Sequence, residues 1–243
     1  LITTKSYDTA EAVRAIGDLN NFFGPVVSMQ NGCGNIERVE QQFGSARTYA
    51  ARVITGFEIK QPGTVNITVT ADDVHIGSYI RGAISPFARH LADTINQAGL
   101  PCRAVKDIYQ DLFAKLLYNC ALNPLGAILG VHYGALGDNS ETRKIMKQVI
   151  DETFAVIHGL GGTTPWPDGK SYRRIFYEKL LPMTYDHRPS MLQDLEQGKP
   201  TEIEALTGYV ADQGGKLSIP TPACSMLAGL VRFREQTGTT EKE

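Results

Sequence analysis

The stretch from Leu112 to Val131 constrains the fold more than any other part of the chain. It is apolar on every side of a helix, so the rest of the chain must bury it. It also contains Lys115, Asn119, Asn123 and Pro124, a set that a bilayer does not accept readily, which argues against a spanning helix. Lys115, Asn119 and Asn123 follow one another at i, i+4 and i+8 and therefore share one helix face. A lysine in such surroundings costs several kcal/mol unless something compensates it. Burial lowers a lysine's pKa, which suits a proton donor near neutral pH, and amides beside it can fix a substrate's oxygens. The plainer alternative is a lysine that snorkels to solvent and two asparagines bonded to neighbours.

A chain of 243 residues with 42% hydrophobic content can supply the core that such a helix needs without disulfides or metals. Its 24 Lys+Arg against 26 Asp+Glu leave a formal net charge of −2, which argues against a dedicated nucleic-acid binder. Cys33, Cys102, Cys120 and Cys224 form no CxxC pair and read as reduced cytosolic thiols. His75, His90, His132 and His158 show no ligand spacing, so no metal is expected. A cytoplasmic, soluble protein with no nucleic-acid or membrane partner follows from these counts.

The pattern changes along the chain. Residues 1–4 read as the end of a strand, Asp8 to Phe23 as a helix, Pro25 to Met29 as a buried strand and Asn35 to Phe43 as a second helix. That alternation predicts a parallel α/β sheet. Tyr49 to Ile59 and Thr64 to Val69 read as an antiparallel hairpin about Lys60-Gln-Pro-Gly63, and His75 to Gly77 as a short strand. Ser85-Pro86 reads as an N-cap and first-turn proline of a helix that stops at Gly99, and Cys102 to Val105 as a last strand. From Asp107 onward helices are expected near 107–130, 140–159, 170–181, 189–197, 202–216 and 221–236, with Gln236 to Glu243 as a frayed tail. The expected boundary is therefore near residue 106, between an α/β part (1–106) and an all-α part (107–243).

Two further elements carry candidate chemistry. Thr201 and Glu204 fit a capping box, which would put Glu202 in a first helical turn where the dipole favours its anion. Ser190, after Pro189, has the plainer reading of a residue that caps or starts its helix. Asn31 follows a buried strand directly, where open α/β sheets bind ligands, and Lys5 holds the same place after the neighbouring strand. As plain structural residues, Glu202 is an exposed first-turn acid and Asn31 a turn asparagine. Gly32-Cys-Gly34 begins like a dinucleotide fingerprint but has Glu37 at the third glycine, and Gly169-Lys170-Ser171 lacks the first glycine of a P-loop.

Lys115-x3-Asn119-x3-Asn123-Pro124, Ser190-Met-Leu-Gln-Asp194 and Thr201-Glu202-Ile203, with Thr4-Lys5 and Gln30-Asn31-Gly32, resemble the ketopantoate reductases (2-dehydropantoate 2-reductases) in order along nearly the whole chain. The resemblance implies a Rossmann-type NAD(P)-binding domain, represented by residues 1–106, and a helical C-terminal domain like that of 6-phosphogluconate dehydrogenase. It implies NADPH as cofactor and a small 2-oxo acid, ketopantoate, as substrate, in pantothenate synthesis, and it is compatible with a homodimer. By position, Lys115 is the implied general acid. Asn119, Asn123 and Ser190 are implied to bind substrate, Lys5 and Asn31 to lie beside the cofactor, and Glu202 to organise substrate and nicotinamide ribose. The chain opens inside an apolar run with no methionine, so a GxGxxG segment is expected to precede Leu1. Tyr133 and His187 stand where well-known members carry asparagines, which leaves a reductase of another 2-oxo acid as the alternative. A non-catalytic paralogue is the third reading.

Overall fold

The computed structural model describes residues 1–70 and 72–240 of the chain. They divide into two compact units, Leu1–Leu112 and Phe113–Glu243. In the first unit, β1 (Val26–Ser28), β2 (Thr48–Arg52), β5 (Val74–Ser78) and β6 (Cys102–Ala104) form one sheet in the order β1-β2-β5-β6. Ile2 adds a bridge alongside Ser28, with its N–H donating to Val27 O at 2.8 Å and its carbonyl accepting from Met29 N at 2.9 Å. Successive strand residues point to opposite faces. Val26, with Ile2, packs on Val13 of α1 (Thr9–Gly17) and Val39 of α2 (Asn35–Phe43), whereas Val27 turns to Ala88 and Ala92 of α3 (Pro86–Gln97). Each fully buried aliphatic side chain in these two layers contributes about 1.5–3 kcal/mol.

Three expectations for this unit need correction. The apolar run from Tyr49 to Ile59 is not one strand: it breaks at Val53-Ile54. Its first half is β2, and its second half, β3 (Thr55–Gln61), pairs only with β4 (Thr64–Thr70) in a separate hairpin. The sheet is mixed, because the link from β2 to β5 holds that hairpin and no crossover helix, so β5 returns antiparallel to β2. The first helix ends at Gly17 instead of Phe23: glycine is a poor helix residue, and Leu19 and Phe23 beyond it are 58% and 80% exposed, so no burial rewards continuation. Other local signals hold. Ser85 Oγ accepts from Ala88 N at 3.0 Å above Pro86, and α2 has the expected bounds.

The second unit is helical. Its elements are the greater part of α4 (Ile108–Leu129), then α5 (Tyr133–Asp138), α6 (Ser140–Gly159), α7 (Gly169–Ile175), a π-turn at Phe176–Leu180 and α8 (Leu181–Met183). They are followed by α9 (Ser190–Glu196), a 3-10 turn at Ile203–Ala205, α10 (Thr207–Leu217) and α11 (Pro222–Thr240). α4 is long and apolar enough to cross a membrane by length and composition, yet 72% of its apolar window is buried in the protein. Leu116, Leu117, Cys120, Ala121 and Leu122 are all at most 2% exposed, so burial surrounds the helix instead of following one stripe.

The contact boundary falls after Leu112, six residues beyond the compositional change at 106. The first turn of α4 packs within the first unit: Tyr109 Oη donates to Glu37 Oε1 of α2 at 3.1 Å, and Asp111 Oδ1 lies 2.8 Å from His75 Nδ1 of β5. Ile108 seats on Gly77 so closely that an added Cβ would stand 2.7 Å from Ile108 Cβ and 3.2 Å from its backbone nitrogen. Gly77→Ala is therefore expected to destabilise the protein by about 1–3 kcal/mol, because a helix start cannot step aside as a flexible side chain can. Urea denaturation of the two proteins checks this; an unchanged midpoint would overturn it.

α5 was not expected, since Gly134 and Gly137 within it hide its periodicity. The polar end expected to fray from Gln236 continues α11 to Thr240, and residues 241–243 lie outside the described residues.

Candidate active site

Lys5 and Asn31 come together because their strands do. Ile2 and Ser28 are paired in parallel, so both chains leave the sheet at the same edge. Gln30, 7% exposed, ties the two exits: its Nε2 donates to Thr4 O at 3.1 Å, Lys5 O at 3.2 Å and Thr9 Oγ1 at 2.8 Å. Asn35 Nδ2 donates to Asn31 O at 2.9 Å and fixes the turn that leaves the Asn31 side chain exposed. Gln30 belongs to no motif of its own chemistry; its one local sign is a polar side chain immediately after an apolar strand. The segments carrying Lys5 and Asn31 thus leave the sheet together at the carboxyl ends of two parallel-paired stretches, the place where open α/β sheets take ligands.

Arg52 and His75, both buried, meet the exposed Arg103 and the partly buried Asp111 in a polar network in the same unit. His75 is 3% exposed and Arg52 4%. Arg103 Nε donates to His75 Nε2 at 2.6 Å, Arg52 Nη2 lies 2.7 and 2.9 Å from the two ring nitrogens, and Asp111 Oδ1 lies 2.8 Å from Nδ1. Among the described residues no group of three His, Cys, Asp or Glu is placed to hold a metal ion.

In the helical unit, Lys115 is half-buried on α4, and Asn119 and Asn123 are 8% and 6% exposed on the same face. Tyr133 Oη donates to Asn123 Oδ1 at 2.7 Å. The Tyr133 ring lies edge-on to Tyr118 at 5.9 Å and tilted on His187 at 5.1 Å. Tyr118, one turn from Lys115, bonds Thr184 Oγ1 at 2.5 Å. Burial holds the Tyr118 phenol up at about 12 and that of Tyr133 well above its usual value, so both remain protonated at neutral pH. Desolvation of the His187 imidazole, one side of which Tyr133 covers, holds it below its usual value.

The segment carrying Ser190 is clasped to the start of α5 and rests on α4. Tyr133 N donates to His187 O at 3.1 Å and Gly134 N to Tyr185 O at 2.8 Å. Pro189 rests on Gly126 of α4, where an added Cβ would sit 2.7 Å from Pro189 Cγ. Ser190, exposed at the head of α9, is thereby held next to the turn of α4 that follows Asn123.

Glu202 is 9% exposed, but not where a capping box would put it. Thr201 Oγ1 accepts from Ile203 N at 3.2 Å, and Thr201 N donates to Glu235 Oε1 at 2.6 Å. Glu204 turns away to Arg232, with bonds of 2.6 and 2.8 Å that hold its carboxyl below the usual range. A guanidinium fork satisfies that carboxylate better than one backbone N–H. Glu202 therefore precedes a three-residue 3-10 turn, packed against α10 and α11, instead of opening an α-helix.

Comparison with known proteins gives the family and the fold. The family model described as "Ketopantoate reductase PanE/ApbA" matches residues 1–80, and that for its C terminal part matches 107–235. A 2-dehydropantoate 2-reductase from Aquifex aeolicus is 40% identical over 97% of this chain and 76% of its own length. The enzyme of that name from Pyrococcus horikoshii is 31% identical over 100% and 77%. The crystal structure of a PanE/ApbA family ketopantoate reductase from Ralstonia eutropha superposes with a TM-score of 0.85 at 30% identity, covering 97% of this chain and 75% of that one. D-mandelate dehydrogenase, solved with NADH, shares the fold at a TM-score of 0.84 and 24% identity, covering 96% of this chain and 77% of that one. With both family models matching in order and relatives aligned along nearly its whole length, the chain belongs to the ketopantoate reductase family.

Proposed function

We propose that the protein reduces ketopantoate to pantoate with NADPH, and that Lys115 is the general acid. The observation that carries this reading is the row of Lys115, Asn119 and Asn123 on one face of an otherwise apolar, buried helix, in a chain of this family. Reduction of a 2-oxo acid needs a proton at the developing alkoxide and fixed polar groups for the carboxylate. The Lys115 ammonium donates that proton to the C2 oxygen. Ser190 donates a hydrogen bond to the carboxylate, and Asn119 and Asn123 hold the remaining oxygens. Glu202 orders substrate and ribose. Lys5 and Asn31 fit a polar, anionic dinucleotide at the strand ends, and bound NADPH would supply the hydride to C2. NADPH in place of NADH follows from the family resemblance.

Residues 1–106 then serve the cofactor and 107–243 the substrate. Four buried, unbridged cysteines suit a reducing cytoplasm. A homodimer belongs to the same reading, supported by Met226, Leu230 and Phe233, exposed by 54%, 42% and 62% along one side of α11. A second reading, reduction of another 2-oxo acid, is favoured by the Tyr133–His187 wall beside Asn123.

Steady-state turnover of the full-length protein on a panel of 2-oxo acids, with NADPH and with NADH, separates these readings. The highest kcat/KM is expected for ketopantoate with NADPH. A clear preference for another 2-oxo acid would establish the second reading, and no turnover on any would remove both.

A further inference from the structure

Asn123 can face a ligand with its amide oxygen or with its NH2, and one side chain decides between them. The Tyr133 hydroxyl donates to Asn123 Oδ1 at 2.7 Å. Tyr133 is 2% exposed and held from several directions: its N–H on the His187 carbonyl at 3.1 Å, its ring against Tyr118 and His187. Those neighbours are themselves anchored, since Tyr118 bonds Thr184 Oγ1 at 2.5 Å and His187 N donates to Thr184 O at 2.9 Å. The hydroxyl is therefore fixed in space, and burial keeps it protonated and donating at neutral pH. A planar amide whose oxygen is held on one side presents its two N–H donors on the other.

We propose that Tyr133 is a positioning residue of the oxo-acid site: it locks the Asn123 amide so that the NH2, not the oxygen, meets the substrate, and so selects substrates carrying an acceptor oxygen there. This rests on the reading of Asn123 as a substrate-binding residue. The residue acts only through Asn123, so its removal weakens binding more than it slows the proton transfer at Lys115. The Tyr133 ring keeps its packing in Tyr133→Phe, which removes the hydroxyl alone.

The test uses the full-length protein with ketopantoate and NADPH. Tyr133→Phe is expected to raise KM by about three- to tenfold, the size of one hydrogen bond, with kcat within about twofold. In a double-mutant cycle, Tyr133→Phe added to Asn123→Ala is expected to cost nothing further, because the group it positions is gone. Thermal melts of each variant separate this pattern from loss of fold. An active wild type with Tyr133→Phe unchanged in KM, or with the two substitutions additive, overturns the proposal while leaving the reductase reading intact. A folded wild type that neither binds nor turns over a 2-oxo acid overturns both.

Discussion

Lys115→Ala is expected to lower kcat for 2-oxo acid reduction by about 10²- to 10⁴-fold, the range of a positioned general acid. The side chain is half-buried on α4, on the face it shares with the buried Asn119 and Asn123. Lys115→Arg is expected to rescue little, because a guanidinium does not release its proton at neutral pH and its planar fork does not fit the place of a compact ammonium. Binding of reduced cofactor, followed by its fluorescence, should persist in both variants, since Lys5 and Asn31 lie in the other unit. Far-UV circular dichroism checks the fold. A rate within about tenfold of wild type in Lys115→Ala would remove the assigned role.

Glu152→Ala is expected to cost about 3 kcal/mol of folding stability. Glu152 on α6 is 8% exposed, and its two carboxylate oxygens accept from Ala223 N at 2.9 Å and Cys224 N at 2.8 Å. These are orphan donors at the head of α11, where Pro222 begins the helix and a negative charge also meets the positive end of the dipole. Removal leaves buried N–H groups without an acceptor, at about 1–3 kcal/mol each, against a total stability of about 5–15 kcal/mol. Glu152→Gln keeps one good acceptor and should lose roughly half as much. The effect reaches the site, because α11 also supplies Glu235 to Thr201 and Arg232 to Glu204, on either side of Glu202. Guanidinium denaturation measures the stability. A loss below about 1 kcal/mol in Glu152→Ala would show that water or a neighbour replaces the cap.

Signals that live within a few residues were legible. Asn35–Phe43 and the Ser85-Pro86 start follow from spacing and capping, and Lys115, Asn119 and Asn123 share a face because helical geometry demands it. Where two local signals competed, the sequence misled. Thr201 and Glu204 satisfy a capping box on paper, but Arg232, 28 residues on, takes the carboxylate. The run from Tyr49 to Ile59 is uniformly β-prone, so nothing in it marks the break at Val53-Ile54 that sends its halves to different sheets.

The sequence by itself determined the two-part α/β and helical plan, the buried polar helix and the family, because periodicity, caps and motif order are properties of neighbours along the chain. Only the tertiary structure decided which partners those side chains meet. Gln30 joining the strand exits that carry Lys5 and Asn31, Tyr133 holding Asn123, and Glu152 capping α11 from 71 residues away all depend on where separate elements dock. A hydrogen bond needs its two atoms within about 3 Å, and no local pattern encodes that distance between segments far apart in sequence.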